Sequence, residues 1–505
     1  MQIITRNIMG YNIKLVNTFL LLGVLLLGVG CDVSEEPIGR VTPDQIDQEP
    51  TASTITSSVN SSYRLLSQTL NIIDQWNWAE GKVTRNGFIL HDIASGDLNK
   101  KWQPDGDQAW MDRAGNFNFT PTNQAFQGIW TYDYEGISRT NRAIDDLTSE
   151  EIVSQIDLEQ NVKDRLLGEA YFLRAYYYFD LVNNFGDVPL LLEPLQNFDS
   201  AFERTTRVDE SKVWDQIRND LSKAVSLLPD RKFSSSEEPW RASVGAAIAM
   251  QAKVALFNEN WQTVIDKVNT LQSKGFYSLN DHYFDSFSFE QEYQEDEVIF
   301  AYDHRAGRTP SKGNGLGALT GWGFIAPTQD FLNEFEENDP RKKYTVNVED
   351  KVVFKILGDT TDAFKGNADS PGNRIYLRWA DVLLWKAEAH IETGSMTPAI
   401  QIINDIRERA RNTPTLDGDM PPSGTLPARD VNETDKATVM DWLIHERRVE
   451  LGFESHRFND LKRWGMAEEV LTDMGKSYQE HNKLYPIPQS EIDKSGGEMK
   501  QNPGY

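Results

Sequence analysis

Along much of the chain the apolar residues recur at three- and four-residue steps, the spacing of one buried helix face. Between residues 162 and 185 the stripe runs through Leu166, Leu167, Ala170, Leu173, Tyr177 and Leu181. A second begins at Val213, passes Ile217, Leu221, Ala224 and Leu228, and is closed by Pro229, which cannot continue a helix. An alanine-rich helix is predicted over residues 242–257 and another from Trp261 to about Leu271, a pair of the length of one tetratricopeptide unit. The pair recurs: Leu377, Ala380, Leu384, Ala387 and Ile391 line a helix ending at Gly394, and Pro398 opens the next, through Ile403, Ile406 and Ala410. Trp130, with Tyr134, Ile137 and Asn141 at helical spacing, is assigned to the core, as are Trp379, Trp385 and Trp464. The repeats are too irregular for a simple solenoid. The pattern predicts a mainly α fold of tetratricopeptide-like helix pairs forming a curved scaffold.

Between the helices lie long segments without periodicity. Residues 74–122 carry Trp76, Trp78, Trp102 and Trp110 among Gly, Asp and Asn; residues 303–328 are glycine-rich; residues 412–434 are rich in Pro, Asp and Thr. Loops of this length within one domain are functional or disordered. Alternation suggests strands only at residues 298–302 and 351–356.

The first thirty residues hold two basic residues, Arg6 and Lys14, and no acidic one, and their apolar run is too short to span a bilayer. It ends in Gly28-Val29-Gly30, ahead of Cys31, the only cysteine. The pattern predicts a signal peptide over residues 1–30 and a lipobox that would leave Cys31 acylated as a membrane anchor. One departure stands out: Gly28 occupies the place where a lipobox usually has leucine, and Leu27 is one step earlier. Residues 31–49, acidic at Asp32, Glu35 and Glu36, are predicted as the tether.

The formal charge is −26, and loss of Arg6 and Lys14 would make it −28. Such a surface repels phosphate backbones, which excludes nucleic acid as a partner and argues against broad capture of polyanions, although a local basic pocket is compatible with it. Thirteen Trp, 17 Tyr and 24 Phe supply ample apolar mass for a large core.

Several motifs tempt and fail. Glu446, Glu450, Glu454 and Asp460 alternate with Arg447, Arg448, Arg457 and Arg463. Glycoside hydrolysis needs two carboxylates across an open cleft, whereas four-residue spacing beside arginines favours structural ion pairs. Arg165 and Glu169 are read the same way. His445-Glu446-Arg447-Arg448-Val449 lacks the second histidine of a zinc-protease motif, and residues 281–290 lack the EF-hand glycine. Asp105-Gly106-Asp107 reads as a turn. No catalytic residue, metal site or cofactor is predicted.

The loop aromatics carry more weight. Sugars present flat C–H faces that stack on indole rings, with hydroxyls that need Asn, Asp, Gln or Arg at the edge. Trp76 and Trp78 stand among Asp74, Gln75 and Asn77; Trp102 and Trp110 flank a polar run; Trp322 lies between Gly321 and Gly323. These five tryptophans are the candidate ligand-binding residues, a platform that grips without transforming. Lys82, Arg85, Arg305 and Arg308 are the basic residues near it that suit an anionic ligand.

The C-terminal half carries signatures that resemble a known family. Arg374-Ile375-Tyr376-Leu377-Arg378-Trp379-Ala380-Asp381, Glu446-Arg447-Arg448-Val449-Glu450-Leu451-Gly452-Phe453-Glu454 and His456-Arg457-Phe458-Asn459-Asp460-Leu461-Lys462-Arg463-Trp464-Gly465 resemble SusD/RagB signatures. So do Tyr485-Pro486-Ile487-Pro488 and the terminal Asn502-Pro503-Gly504-Tyr505, with Gly168-Glu169-Ala170 and Phe185-Gly186-Asp187-Val188-Pro189 nearer the N-terminus. The matches keep the family's order over nearly the whole chain. The resemblance implies a single domain over residues 50–505, helical over 50–300 and less regular over 301–505. It implies an outer-membrane lipoprotein facing the cell surface that binds oligo- or polysaccharide and delivers it to a SusC-like TonB-dependent transporter, with ligand-binding loops in the two aromatic regions. A peptide-binding RagB-like role and a glycoside hydrolase are the alternatives.

Overall fold

The helices of the frame pack on one another largely in chain order. α1 (Ala52–Tyr63) and α2 (Gln124–Thr148) lie against α3 (Gln160–Phe185), α3 against α4 (Glu210–Leu227), α4 against α5 (Val244–Phe257), and α5 against α6 (Trp261–Lys274). More than a hundred residues later α7 (Trp379–Glu392) docks on α5 and α6 and carries α8 (Met396–Asn412) and α9 (Lys436–Glu450). The protein is mainly α, as its periodicity predicts. This computed structural model describes residues 50–73, 84–100, 106–195 and 206–505, of which Thr51–Tyr505 form one compact unit. Residues 1–30, the 31–49 tether with Cys31, and Trp76, Trp78, Lys82 and Trp102 lie outside the described residues.

Short polar residues start these helices by satisfying backbone N–H groups that have no partner within the helix. Asn123 caps α2 through Ala125 N, Asp209 caps α4 through Ser211 N, Ser243 caps α5 through Ala246 N, and Asp435 caps α9 through Thr438 N. At the end of α6, Gly275 turns the chain with φ +64°, a conformation glycine adopts without a Cβ clash. Packing supplies the rest. α3 is covered on both sides, with Leu173 and Tyr177 fully buried. A Cβ at Gly136 of α2 would come within 2.5 Å of the Tyr177 ring, so only glycine allows this approach. Around α7, Leu384 and Ile391 interlock with Ile400 and Ile403 of α8 and Leu443 of α9. Truncating a buried Leu such as Leu384 to Ala would cost about 2–5 kcal/mol.

Among the described residues, six short strands pair antiparallel in three two-stranded sheets: β1 (Leu98–Asn99) with β3 (Ala326–Pro327), β2 (Val298–Tyr302) with β6 (Arg374–Arg378), and β4 (Val346–Asn347) with β5 (Val352–Val353). Two expectations need correction. Leu377 belongs to β6 and not to the following helix, because it pairs with Phe300 of β2 before Trp379 opens α7. The extended stretch expected over residues 351–356 stops at Val353, and Phe354–Leu357 form a helical turn. Trp130, Trp379 and Trp385 are buried, while Trp464 is only half-buried and donates its indole N–H to Glu388 at 3.0 Å.

The glutamates on and just after α9 are ion-paired, but their partners are mostly not the arginines beside them. Glu450 lies 2.5 Å from Arg409, 2.9 Å from Arg378 and 3.1 Å from Arg341. Glu446 meets Arg341 and Arg407, and Glu454 meets Arg378 and Lys355. Glu297 joins the cluster through Arg378 and Arg409. Neighbouring residues on a helix point to different faces, so Arg447 and Arg448 turn away from these glutamates. Arg447 pairs instead with Asp381 and Asp460, and Arg448 with Asp97, Asp330 and Glu334. Burial opposes charge on Glu450, yet the Arg409, Arg378 and Arg341 guanidiniums hold its pKa far below the usual carboxylate range. Arg165 and Glu169 pair as expected at 2.6 Å, with Arg241 also on Glu169 at 2.7 Å.

Candidate functional site

Two loop regions, one early in the chain and one before Pro327, are stitched into one face by backbone contacts. Leu98 pairs with Pro327 and Asn99 with Ala326, three residues before Trp102 and four after Trp322 in the sequence. Thr328 N donates to the Asp97 carbonyl at 2.9 Å, and its hydroxyl donates to the Gly96 carbonyl at 2.7 Å. A second seam lies next to residue 74. Gly315 N donates to the Gln68 carbonyl at 2.8 Å, and the Thr69 hydroxyl donates to the Gly313 carbonyl at 2.9 Å. The fully buried His304 completes it, with Nε2 3.4 Å from Gln68 N and Nδ1 3.0 Å from the Lys312 carbonyl. A backbone N–H can only donate, so Nε2 accepts and Nδ1 carries the proton. Burial pushes the His304 pKa down to about 4, which keeps this neutral tautomer at neutral pH.

Trp322 closes the helical turn Leu316–Trp322 and is half-buried. The glycines on either side have separate jobs. Gly323 caps the turn with φ +89°. A Cβ at Gly321 would fall 2.1 Å from the backbone nitrogen of Gly366, so the loop is pressed directly on residues 365–366. Gly366 N also donates to the Gly317 carbonyl at 3.0 Å. The ring therefore sits on a backbone held from both sides.

Trp110 is different. It is 7% exposed, in a short helix over Ala109–Gly115, and donates its indole N–H to Gln108 Oε1 at 2.7 Å. That burial makes it packing and removes it from the rings able to offer a face to solvent, which corrects the expectation for this residue. The other three candidate rings lie outside the described residues. Of the basic residues, Arg85 is buried against Asp133 and Asp180, and Arg305 is engaged by Asp303 and Glu292, while Arg308 is exposed. Glu446, Glu450 and Glu454 are buried in ion pairs. Gly106 adopts φ +79°, in keeping with the turn expected there. Among the described residues, no group of three or more His, Cys, Asp or Glu could hold a metal, and no helix is long and apolar enough to cross a membrane.

A 550 Å³ cleft opens beside the β1–β3 seam, with Asn99, Thr328 and Arg457 in its wall; nothing in the sequence pattern singles it out.

Known proteins share this fold. A family model described as "SusD family" matches residues 344–505, and one described as "Starch-binding associating with outer membrane" matches residues 44–256. The chain belongs to the SusD family. SusD-like protein P2 of Formosa agariphila is 26% identical over 541 residues, covering 97% of this chain and 99% of that one. Among solved SusD-type structures, surface glycan-binding protein A from Bacteroides fluxus is 25% identical with a TM-score of 0.70, over 90% of this chain and 99% of its own. A SusD homolog from Bacteroides thetaiotaomicron has a TM-score of 0.72 at 19% identity, over 90% and 97% of the two chains. The SusD family's second model carries outer-membrane association in its description.

Proposed function

We propose that this SusD-family protein is a cell-surface lipoprotein, anchored in the outer membrane through Cys31, that binds oligo- or polysaccharide without cleaving it and delivers it to a SusC-like TonB-dependent transporter. The observation that carries the reading is the Trp322 mount. It is a half-buried indole on a backbone clamped at Gly321 and Gly323, tied by the β1–β3 and Gln68–Gly315 seams to the segments leading into Trp76, Trp78 and Trp102. Rigid aromatic rings bind sugar faces with little loss of side-chain entropy. Support comes also from the Bacteroides fluxus relative, whose name describes glycan binding, and from the starch-binding description of the N-terminal family model.

Native gels cast with polysaccharides and titration calorimetry test the reading. A glycan should retard the protein and titrate it with no reducing sugar released. Trp322→Ala should weaken binding about tenfold, the scale of one lost ring contact in a formed site. Retention of peptides through purification, with no response to Trp322→Ala, would favour the peptide-binding alternative. Reducing sugar released by pure protein would establish a hydrolase instead. Transporter delivery is checked by co-purification of a TonB-dependent barrel from outer membranes, lost on Cys31→Ala.

A further inference from the structure

The cleft beside the β1–β3 seam has a volume of about 550 Å³, within the range of small-molecule sites. Its distinguishing residue is Arg457. The side chain is 12% exposed, and its nearest carboxylate oxygen is Asp97 Oδ1, 3.5 Å from Nε. That distance and geometry make no hydrogen bond, and Nε is buried without a partner. Asp97 is already committed: Oδ1 accepts from Arg448 Nε at 3.1 Å and from Arg448 Nη2 at 3.0 Å. Burial accordingly lowers the Arg457 pKa, with Asp97 offsetting only part of the cost. A guanidinium has five donors in a planar fork, and a buried one left without a partner, as Nε is here, is unfavourable. Arg457 thus stands at the wall of an open space with its nearest carboxylate 3.5 Å away and no hydrogen bond to it.

Most other charges around the cleft are held by protein groups. Arg448 is neutralised by Asp97, Asp330 and Glu334. Asp112 pairs with Lys100 at 2.8 Å. The ammonium of Lys476 donates to the carbonyls of Ile93 and Gly115, which fix it in place without neutralising it. The remaining acid, Asp473, is exposed. Leu98, Val470 and Met474 give the cleft an apolar wall, and Asn99, Asn116 and Thr328 give it uncharged polar edges.

We infer that this cleft is a second ligand-binding site, specific for a carboxylate-bearing sugar residue, a uronic acid within an otherwise neutral oligosaccharide, with Arg457 as the carboxylate receptor. The guanidinium fork matches a carboxylate in two parallel hydrogen bonds. The apolar wall receives the sugar's C–H face, and the amides and hydroxyl receive its ring hydroxyls. One isolated acid suits a protein whose overall charge is strongly negative, because screening over about 8–10 Å hides the rest of the surface from a single carboxylate in the cleft. A polyanion would meet that surface along its whole length. The inference rests on the glycan-binding reading and adds a ligand class and a place to it.

The test uses a uronic-acid-containing oligosaccharide and its carboxyl-reduced neutral form, titrated into the intact protein. The acidic form should bind about tenfold more tightly or better, the scale of a charge-assisted bidentate contact. Arg457→Gln should abolish that preference, so that the acidic and the carboxyl-reduced forms bind with equal affinity. Because Arg457→Gln could perturb the fold, Asp473→Asn provides a second arm: loss of an exposed negative charge should tighten the acidic ligand about two- to threefold at low salt. Circular dichroism melts confirm that both variants fold. Equal affinity for the two oligosaccharides, or a folded Arg457→Gln protein that keeps the preference, overturns the inference while leaving glycan binding intact. Binding of acidic peptides in place of the sugar also overturns it. Failure to bind either oligosaccharide, or any glycan on the gels, removes the glycan-binding reading and this inference together.

Discussion

The buried imidazole of His304 accepts the backbone N–H of Gln68 through Nε2, and so joins the early loop to the one that leads to Trp322. Burial favours the neutral ring and lowers its pKa from 6.5 to about 4. The sign follows from linkage: a base whose folded pKa is depressed adds stability above its unfolded value and loses it as pH falls through the folded one. Between pH 6.5 and 4 the protein should therefore lose on the order of 1–3 kcal/mol at this position. His91, lowered to about 4 by the same cause, acts in the same direction. Urea unfolding at stepped pH measures the slope, and His304→Gln should remove part of it. Hydrogen exchange at residues 67–70 should accelerate in that variant.

Gly321 gives a sharper test of the mount. A methyl group there meets Gly366 backbone atoms at 2.1 and 2.3 Å, and backbone cannot swing aside as a flexible side chain does. Gly321→Ala should cost about 1–3 kcal/mol by overpacking and displace the Trp322 loop. Glycan affinity should fall about tenfold, as it would if the ring itself were lost. A stable variant with full affinity would dissociate the ring from binding.

Glu450 is the anion that three guanidiniums share. Glu450→Gln should destabilise the fold by about 3–5 kcal/mol, since it leaves buried cations uncompensated. The exposed pair Lys483–Glu480 serves as the contrast, and Glu480→Gln should leave the melting temperature nearly unchanged. Denaturant titrations of the two variants separate the cases.

His445 adds an alkaline limit. Its ring lies 2.7 Å from Glu334 and 3.3 Å from Glu336. Burial alone would lower its pKa, but the two carboxylates outweigh burial and raise it to about 9. A raised histidine contributes fully below its unfolded value near 6.5, and that contribution drains away as pH rises to 9. The expected loss is on the order of 1–3 kcal/mol between those limits, and His445→Ala should flatten it. Thermal melts from about pH 6 to pH 9.5 measure it.

The helical frame is legible because its stripes are long and buried. Leu166 to Leu181 and Val213 to Ala224 repeat often enough for period to outweigh composition. Leu377 misleads for the same reason: it continues the spacing of Ala380 and Leu384, and only its pairing with Phe300 makes it strand. The seams of the candidate face leave no such trace. β1 and β3 are two residues each, too short to show alternation, and Gln68 and Gly315 meet through backbone atoms, where a Cβ on residue 315 would fall 2.8 Å from the Gln68 carbonyl; the glycine is needed but does not name its partner. The partners of Glu450 come from β6, α8 and Arg341, so the adjacent arginines point the wrong way. Arg457 looks like one more structural arginine because a guanidinium whose Nε lacks a hydrogen bond is visible only once its neighbours are placed in space.

The strand pair of Leu98–Asn99 with Ala326–Pro327 also bears on how the molecule comes into being. A ribosome releases the early loop long before the segment that must meet it, and closing so large a circuit delays contacts of this kind until local helices have formed. Any capture surface built on this seam would thus form only after the early helices. A nascent or proteolysed chain that stops short of residue 326 would own most of its helices and none of its grip.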